Sequence, residues 1–283
     1  MGIYSPLRYP GGKGKIVPYI KRLIKKNSLV SGVYVEPYAG GAAVALSLLF
    51  EEYVDKIIIN DIDPSIYAFW YSVLNNTDKL CELIEKTPLT ITEWRKQKDI
   101  QKQKNCDLLT LGFSTFFLNR TNRSGILVAG PIGGLKQEGT WKMNARYNKP
   151  ALIERIKRIA LYKNRIEVYN KDAIDLVKSL KASLPSNTIF YFDPPYYVKG
   201  KELYLNYYEY KDHEALRNEI NSISNPKWVV TYDNVQPIRD LYKTYRKKNF
   251  LLNYSAGNHN KGEEVMIFSD NLNILKDIMP YNA

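Results

Sequence analysis

Residues 33–41, Val-Tyr-Val-Glu-Pro-Tyr-Ala-Gly-Gly, followed by the helical pattern of 42–53 and the run Lys56-Ile-Ile-Ile-Asn60, decide the fold. The β-branched run before Pro37 has the length and composition of a short strand. The continuous isoleucines of the second run suit a strand buried on both faces. Pro64 stands where the first turn of the next helix begins. Strand, helix, strand, helix is the opening of a parallel α/β sheet. Beyond Asn75 the alternation stops. Residues 76–118 read as consecutive polar helices. Residues 119–148 are rich in Gly, Asn and Arg, with turn signals at Ser124-Gly125, Gly133-Gly134 and Glu138-Gly139. A helical pattern returns after Pro150 with Ile153, Ile156 and Ile159, and strands are expected at 166–169, 188–192, 228–231, 250–254 and 264–269. The sequence predicts a doubly wound, Rossmann-like α/β domain in two segments, 1–75 and 151–283, interrupted by an inserted helical and β-hairpin domain at 76–150.

Composition narrows the function. Of 283 residues, 45% are hydrophobic and 25% charged, the balance of a folded chain rather than a disordered one. The longest apolar stretch, Ala39 to Phe50, is too short to span a bilayer. The first residues turn basic with no apolar h-region, so no secretory signal is expected. Two cysteines, Cys81 and Cys106, cannot build a disulfide framework, and two histidines exclude Cys/His zinc patterns. A reducing, cytoplasmic setting fits. The net charge of +12 attracts polyanions, and it is clustered. Residues 1–35 carry Arg8, Lys13, Lys15, Lys21, Arg22, Lys25 and Lys26 against no acid, and 119–149 carry six Lys and Arg against Glu138 alone.

Four stretches carry chemistry. Asp193-Pro194-Pro195-Tyr196 follows the apolar run at 189–192. Two prolines lack N–H groups, so they end the strand and stiffen the turn, which places Asp193 at a strand's carboxyl end. Ligands bind at that edge of open α/β sheets. A carboxylate and main-chain carbonyls can accept the hydrogens of an exocyclic amine while Tyr196 stacks on its ring, so Phe at 196 is expected to substitute for Tyr. Glu36-Pro-Tyr-Ala-Gly-Gly41 lies between the first strand and its helix, where Gly40 and Gly41 let backbone approach a ligand. Asp61 closes the second strand at the place where an acid bonds ribose hydroxyls. Asp63 is the local alternative, with helix capping as its simpler role. Tyr9-Pro-Gly-Gly-Lys13 lacks the preceding strand and the spacing of a phosphate loop.

In their order along the chain, these four stretches resemble the Dam-like, D12-class DNA N6-adenine methyltransferases. Phe116-Phe-Leu-Asn-Arg-Thr-Asn-Arg-Ser-Gly125, Arg146-Tyr-Asn-Lys149 and Glu263-Glu264-Val265 extend the resemblance over nearly the whole chain. The departures are small: Tyr9-Pro10 stands where an aromatic and a small residue are usual, and the glycine turn ends in alanines. The resemblance implies S-adenosyl-L-methionine as cofactor, held by Tyr9, Lys13, Glu36, Gly40, Gly41, Asp61, Asp172 and Asp193. Asp172 is equally placed to cap the helix ahead of Leu176. Catalysis would fall to Asp193, Pro194, Pro195 and Tyr196, acting without a metal on an adenine flipped out of double-stranded DNA. DNA would be read by Arg120, Asn122, Arg123, Asn144 and Arg146, whose side chains suit guanine and adenine edges. The rival role for these five is to hold phosphates or brace the hairpin. The resemblance also implies a bacterial or phage-encoded chain with a cognate restriction nuclease as a genetic partner.

What the sequence lacks sharpens the mechanism. Carbon-5 methylation of cytosine needs a nucleophilic cysteine after proline, whereas Leu80 precedes Cys81 and Asn105 precedes Cys106. Cytosine N4 is the nearest alternative target, since it too is an exocyclic amine, and Asp rather than Ser ahead of Pro-Pro-Tyr favours adenine. A DNA-binding homologue without activity is the alternative from another class.

Overall fold

The structure, a computed structural model, describes residues 4–8, 13–198, 208–253 and 261–276. The chain divides into two compact units, residues 1–12 with 61–170, and residues 13–60 with 171–283. Its mixed sheet has seven strands, as the sequence predicts for an α/β fold.

The second unit carries β1 (Gly32–Glu36), β2 (Val54–Asn60), β4 (Thr188–Phe192), β5 (Lys227–Asp233), β6 (Arg246–Asn253) and β7 (Lys261–Phe268). These run in the order β2-β1-β4-β5-β7-β6. The pairs β1–β2, β1–β4 and β4–β5 are parallel, and β7 lies antiparallel to both β5 and β6. Val35, Ile57, Ile58, Ile59 and all of 189–192 are buried, which is why these strands read as continuous apolar runs rather than alternating ones. The chain leaves β1 toward β2 on one side and finds β4 on the other, so the switch point of the sheet lies between β1 and β4. Glu36, Asp193 and Asp233 therefore come to the carboxyl edge of the parallel strands. Because β7 runs the other way, the opposition of Asp233 and Glu264 brings the start of β7 to that same edge. The helices α1 (Val17–Lys26), α2 (Ala43–Phe50), α8 (Ala173–Leu180) and α9 (Tyr210–Asn221) also belong to this unit.

The first unit contains α3 (Pro64–Asn75), α4 (Thr77–Lys86), α5 (Ile91–Ile100), α6 (Leu108–Thr121), α7 (Lys149–Leu161) and β3 (Ile166–Tyr169). Its boundaries differ from those expected at 75/76 and 150/151 because α3 packs on α6 and α7 on α4. Phe69 and Phe116 stack with ring centroids 5.9 Å apart, and a Cβ on Gly112 would lie 2.5 Å from the Ala68 carbonyl oxygen. Helix propensity favours alanine over glycine by about 1 kcal/mol, but backbone cannot yield as a flexible side chain can, and overpacking costs ~1–3 kcal/mol. Gly112→Ala is expected to destabilise the protein by ~1 kcal/mol or more, read from its urea midpoint.

The expected hairpin is a correction. Residues 119–148 hold two short 3-10 turns, Arg123–Gly125 and Met143–Arg146, and a single antiparallel bridge between Asn122 and Pro131. Asn144 and Arg146 thus stand on a helical turn, not on a returning strand. Gly133 and Gly134, with φ of 85° and 75°, fold the segment onto itself instead of joining two strands. Among the described residues no helix is long and apolar enough to cross a membrane.

Candidate active site

Strand β4 ends at Phe192, and the turn Asp193 to Tyr196 that follows is held from β5 at both ends. The Thr231 hydroxyl donates to Asp193 Oδ1 at 2.8 Å. The Asp233 carboxylate accepts the main-chain N–H groups of Tyr197 and Val198, each at 3.0 Å. Thr231 and Asp233 are two residues apart on a strand and so share a face. Tyr191 lies 2.9 Å from the Thr231 hydroxyl, which accepts its phenolic proton while donating its own to Asp193. Sequence alone assigns neither Thr231 nor Asp233 a role. Their only signal there is the two-residue spacing at a strand's end.

Beneath the turn lies a buried cation. Lys13 is 4% exposed, and its ammonium reaches Glu264 Oε2 at 2.8 Å, Asp193 Oδ1 at 3.2 Å and the Tyr196 hydroxyl at 2.5 Å. The Tyr196 hydroxyl in turn donates to Glu264 Oε1. All three ammonium protons therefore have protein acceptors. The Tyr196 hydroxyl has partners that stacking alone does not require, so Phe at this position would remove two hydrogen bonds. Glu264, fully buried, was noted in the sequence only as part of a motif, yet it anchors this cluster.

The cluster holds more acid than base. Burial, with Glu264 adding and Lys13 and Thr231 opposing, pushes the Asp193 carboxyl up to about 6. Glu36, buried within β1, is pushed well above the usual carboxylate range, first by burial and then by the Asp193 charge. For Lys13 burial is the largest single influence and acts downward, but its two carboxylate partners together hold its pKa above the ordinary lysine value. Both contacts to Asp193 fall on Oδ1. Among the described residues Oδ2 carries no hydrogen bond, and the side chain keeps 21% of its surface exposed.

The turn after β1 is laced to its neighbours. Gly40 and Ala42 adopt left-handed φ of 45° and 48°, reversing the chain beside Gly41 into α2. For Ala42 that conformation costs about 1–2 kcal/mol, a strain of the kind that gathers at functional sites. Glu36 Oε2 accepts the Ala45 N–H at 3.3 Å, satisfying one donor of the first turn of α2. Asn60, 1% exposed, donates to the carbonyls of Pro37 at 2.9 Å and Lys171 at 3.0 Å and accepts the Lys171 N–H at 2.9 Å. This ties the β1 turn to the loop before α8. Asp172 caps α8 by accepting from Ile174 at 2.8 Å, the simpler of the two roles weighed for it. Tyr38 and Tyr208 meet through their hydroxyls at 2.9 Å, and burial first, with the Asp172 charge as a lesser cause, holds both phenols above their ordinary value. Among the described residues no group of three His, Cys, Asp or Glu side chains could hold a metal ion.

In the first unit, Asp61 Oδ1 accepts the Asp63 N–H at 3.0 Å, and Asp63 caps α3 through Ser65 at 2.8 Å. Tyr9 lies outside the described residues. Of the five expected DNA readers, Asn122 is fully buried. Its amide accepts from the Trp94 indole at 2.7 Å and donates to the carbonyls of Ile126 and Leu127 at 2.9 Å, so it braces its own turn. Arg123, Asn144 and Arg146 are exposed. Arg120 donates to the Arg146 carbonyl at 2.7 Å. Burial first, and then the charges of Arg8, Arg155 and Arg146, pull its guanidinium down to about 10. Asn119, which no sequence pattern distinguishes, bonds both the N–H and the carbonyl of Arg8 at 2.7 Å and so fixes Arg8 against the end of α6.

The family model described as D12 class N6 adenine-specific DNA methyltransferase matches residues 9–255. The chain is 25% identical over 230 residues to the Type II methyltransferase M.MjaIII of Methanocaldococcus jannaschii, covering 75% of this chain and 76% of that one. It is 26% identical to the modification methylase StsI of Streptococcus sanguinis over 94% of this chain, and spans 42% of StsI. Among solved structures, a SAM-dependent methyltransferase from Agrobacterium tumefaciens is similar at 8% identity and a TM-score of 0.41, over 89% of this chain and 60% of that one.

Proposed function

The chain belongs to the D12 class N6 adenine-specific DNA methyltransferases, and from that premise we propose how its own residues perform site-specific methylation of adenine in DNA. The observation that carries the mechanism is the Asp193 carboxyl, fixed through Oδ1 by Thr231 and Lys13 with Oδ2 left to accept. Asp193 Oδ2 and the Pro194 carbonyl take the two N–H bonds of adenine N6. Its lone pair, otherwise delocalised into the ring, is then localised on nitrogen. Catalysis is positioning by a turn that does not have to reorganise, because Pro194 and Pro195 stiffen it and Thr231 and Asp233 hold its ends. Thr231 and Asp233 act as positioning residues.

S-adenosyl-L-methionine, the cofactor proposed here, supplies when bound a sulfonium methyl with a good leaving group. The protein side fits a cationic ligand: Asp193 and Glu264 share the single ammonium of Lys13, Glu36 feels the Asp193 charge, and Glu36 and Asp193, both raised by burial, ionise more readily beside a further positive charge. Glu36 and the Gly40-Gly41 turn would hold the methionine end, and Asp172 the adenine. Lys13 already has three acceptors, so a direct cofactor contact from it would exchange one of them. Methylome sequencing of DNA from cells expressing the chain is expected to show N6-methyladenine at one short site. Cytosine N4 modification would reassign the substrate, and unmodified DNA would leave a homologue that binds without acting.

For DNA the five expected readers divide. Arg120, drawn into a group with Arg8, Arg146 and Arg155, is proposed as a phosphate holder, and exposed Arg123 as a base reader. Arg120→Ala should then weaken all sequences alike and lower the slope of log affinity against log salt by about 0.9. Arg123→Ala should relax preference at one position of the site by ~1–3 kcal/mol. Turnover on single-mismatch duplexes separates the two, and the same uniform loss in both variants would move base reading elsewhere.

A further inference from the structure

Within the first unit, three large apolar side chains stand in solvent over fourteen residues: Val128 at 64% exposure, Leu135 at 54% and Trp141 at 73%. Singly exposed apolar residues need no explanation, but a tryptophan held out of the core by a built loop does. The loop is closed on itself. The Gln137 amide donates to the carbonyls of Ile132 at 2.7 Å and Gly134 at 2.6 Å, and its oxygen accepts the Met143 N–H at 3.0 Å. Gly139 donates to the Gly133 carbonyl at 3.3 Å. A Cβ on Gly133 would lie 2.7 Å from the Trp141 carbonyl oxygen, so the two ends of the loop touch where only glycine fits. The main chain at Trp141 is therefore held at a fixed place, with its side chain in solvent.

We propose that Trp141 is a wedge that stacks on bases of the target duplex and stabilises the opened site from which adenine leaves. The proposal rests on the reading of this chain as a DNA methyltransferase and adds a contact that reading does not assign. Charge selects the occupant: Lys136 and Lys142 flank the tryptophan, Arg123 and Arg146 are exposed in the same unit, and Glu138 is the single acid from 119 to 149. An apolar protein partner would not call for that field, whereas the phosphates of DNA do. Apolar side chains inserted between base steps unstack them, and aromatic stacking tolerates any base because each has a π-face.

The chain's composition supplies the probe. Of its four tryptophans, Trp70, Trp94 and Trp228 are 1%, 9% and 2% exposed, so Trp141 alone faces solvent. Tryptophan fluorescence of the full chain is titrated with a duplex carrying the site found by methylome sequencing, with anisotropy of a labelled duplex read in parallel. The expected result is a saturable quench that tracks binding and is lost in Trp141→Phe. Trp141→Ala should lower kcat/KM by about tenfold or more, with Phe restoring most of that loss and cofactor affinity unmoved in both. Binding and methylation with no quench overturn the wedge while leaving the methyltransferase reading intact. A quench that follows protein concentration without DNA assigns Trp141 to a contact between copies and also overturns it. A chain that binds no DNA overturns both readings.

Discussion

Asp193→Ala loses methyl transfer by about a hundredfold to a thousandfold or more and keeps most of its DNA affinity. The loss follows from removing a preorganised acceptor that acts on the reacting nitrogen, an effect of that order in other enzymes. Affinity survives because it comes largely from phosphate contacts. Asn at 193 should retain part of the activity, since its amide oxygen still accepts one bond. The same residue sets the pH dependence. Its folded pKa is pushed up to about 6, so the accepting carboxylate is present above that value and is protonated below it. The kcat/KM of transfer, which reports the free enzyme, should therefore climb as pH rises through about 6 and level off above it, and kcat with saturating cofactor should show a lower midpoint. Thr231→Val, which removes the hydroxyl that stabilises the ionised form, should move the midpoint upward, and Thr231→Ser should bring it back. An unmoved midpoint in the valine variant would leave Thr231 as packing only.

Lys13→Met should cost about 3–5 kcal/mol of stability, the penalty for leaving a buried carboxylate without its cation. Glu264 is fully buried, and Lys13 neutralises it from within hydrogen-bond distance of both its oxygens, at 3.0 and 2.8 Å. The double variant Lys13→Met with Glu264→Gln should recover a large part of that loss, because no isolated charge remains. Activity should not recover with it, since Asp193 would still lack the ammonium that holds its carboxyl down. Urea unfolding of the two single variants and the double variant gives the coupling between the pair directly. Single variants as stable as the wild type would mean that water, not Lys13, solvates Glu264.

The inner strands β1, β4 and β5 and the end of β2 were legible because they are buried on both faces and their apolar runs end in proline or acid. The same punctuation marked Asp193, Glu36 and Asp61 at strand ends. What stayed hidden are partnerships between residues far apart in the chain. Glu264 meets Tyr196 across 68 positions, and Thr231 meets Asp193 across 38. Asn122 shows the converse. Beside Arg120 and Arg123 it has the composition of a base reader, yet Trp94, 28 residues earlier, accounts for its amide oxygen and the turn ahead takes both its protons. The glycine pair at 133–134 was a true turn signal read into the wrong turn, because Gln137, whose side chain closes the loop, leaves no mark in a propensity pattern. The domain boundaries moved for a related reason. Gly112 and Phe116 reach back to Ala68 and Phe69, and no local pattern joins α6 to α3.

The most direct test of the Asp193 turn as the centre of transfer is to incubate the purified chain with methyl-labelled S-adenosyl-L-methionine and duplex DNA, digest the DNA to nucleosides and separate them. Label should run with N6-methyladenosine for the wild type and be absent from the Asp193→Ala variant, with duplex binding retained in both. Label in a cytosine nucleoside, or undiminished adenine labelling by Asp193→Ala, would contradict the account.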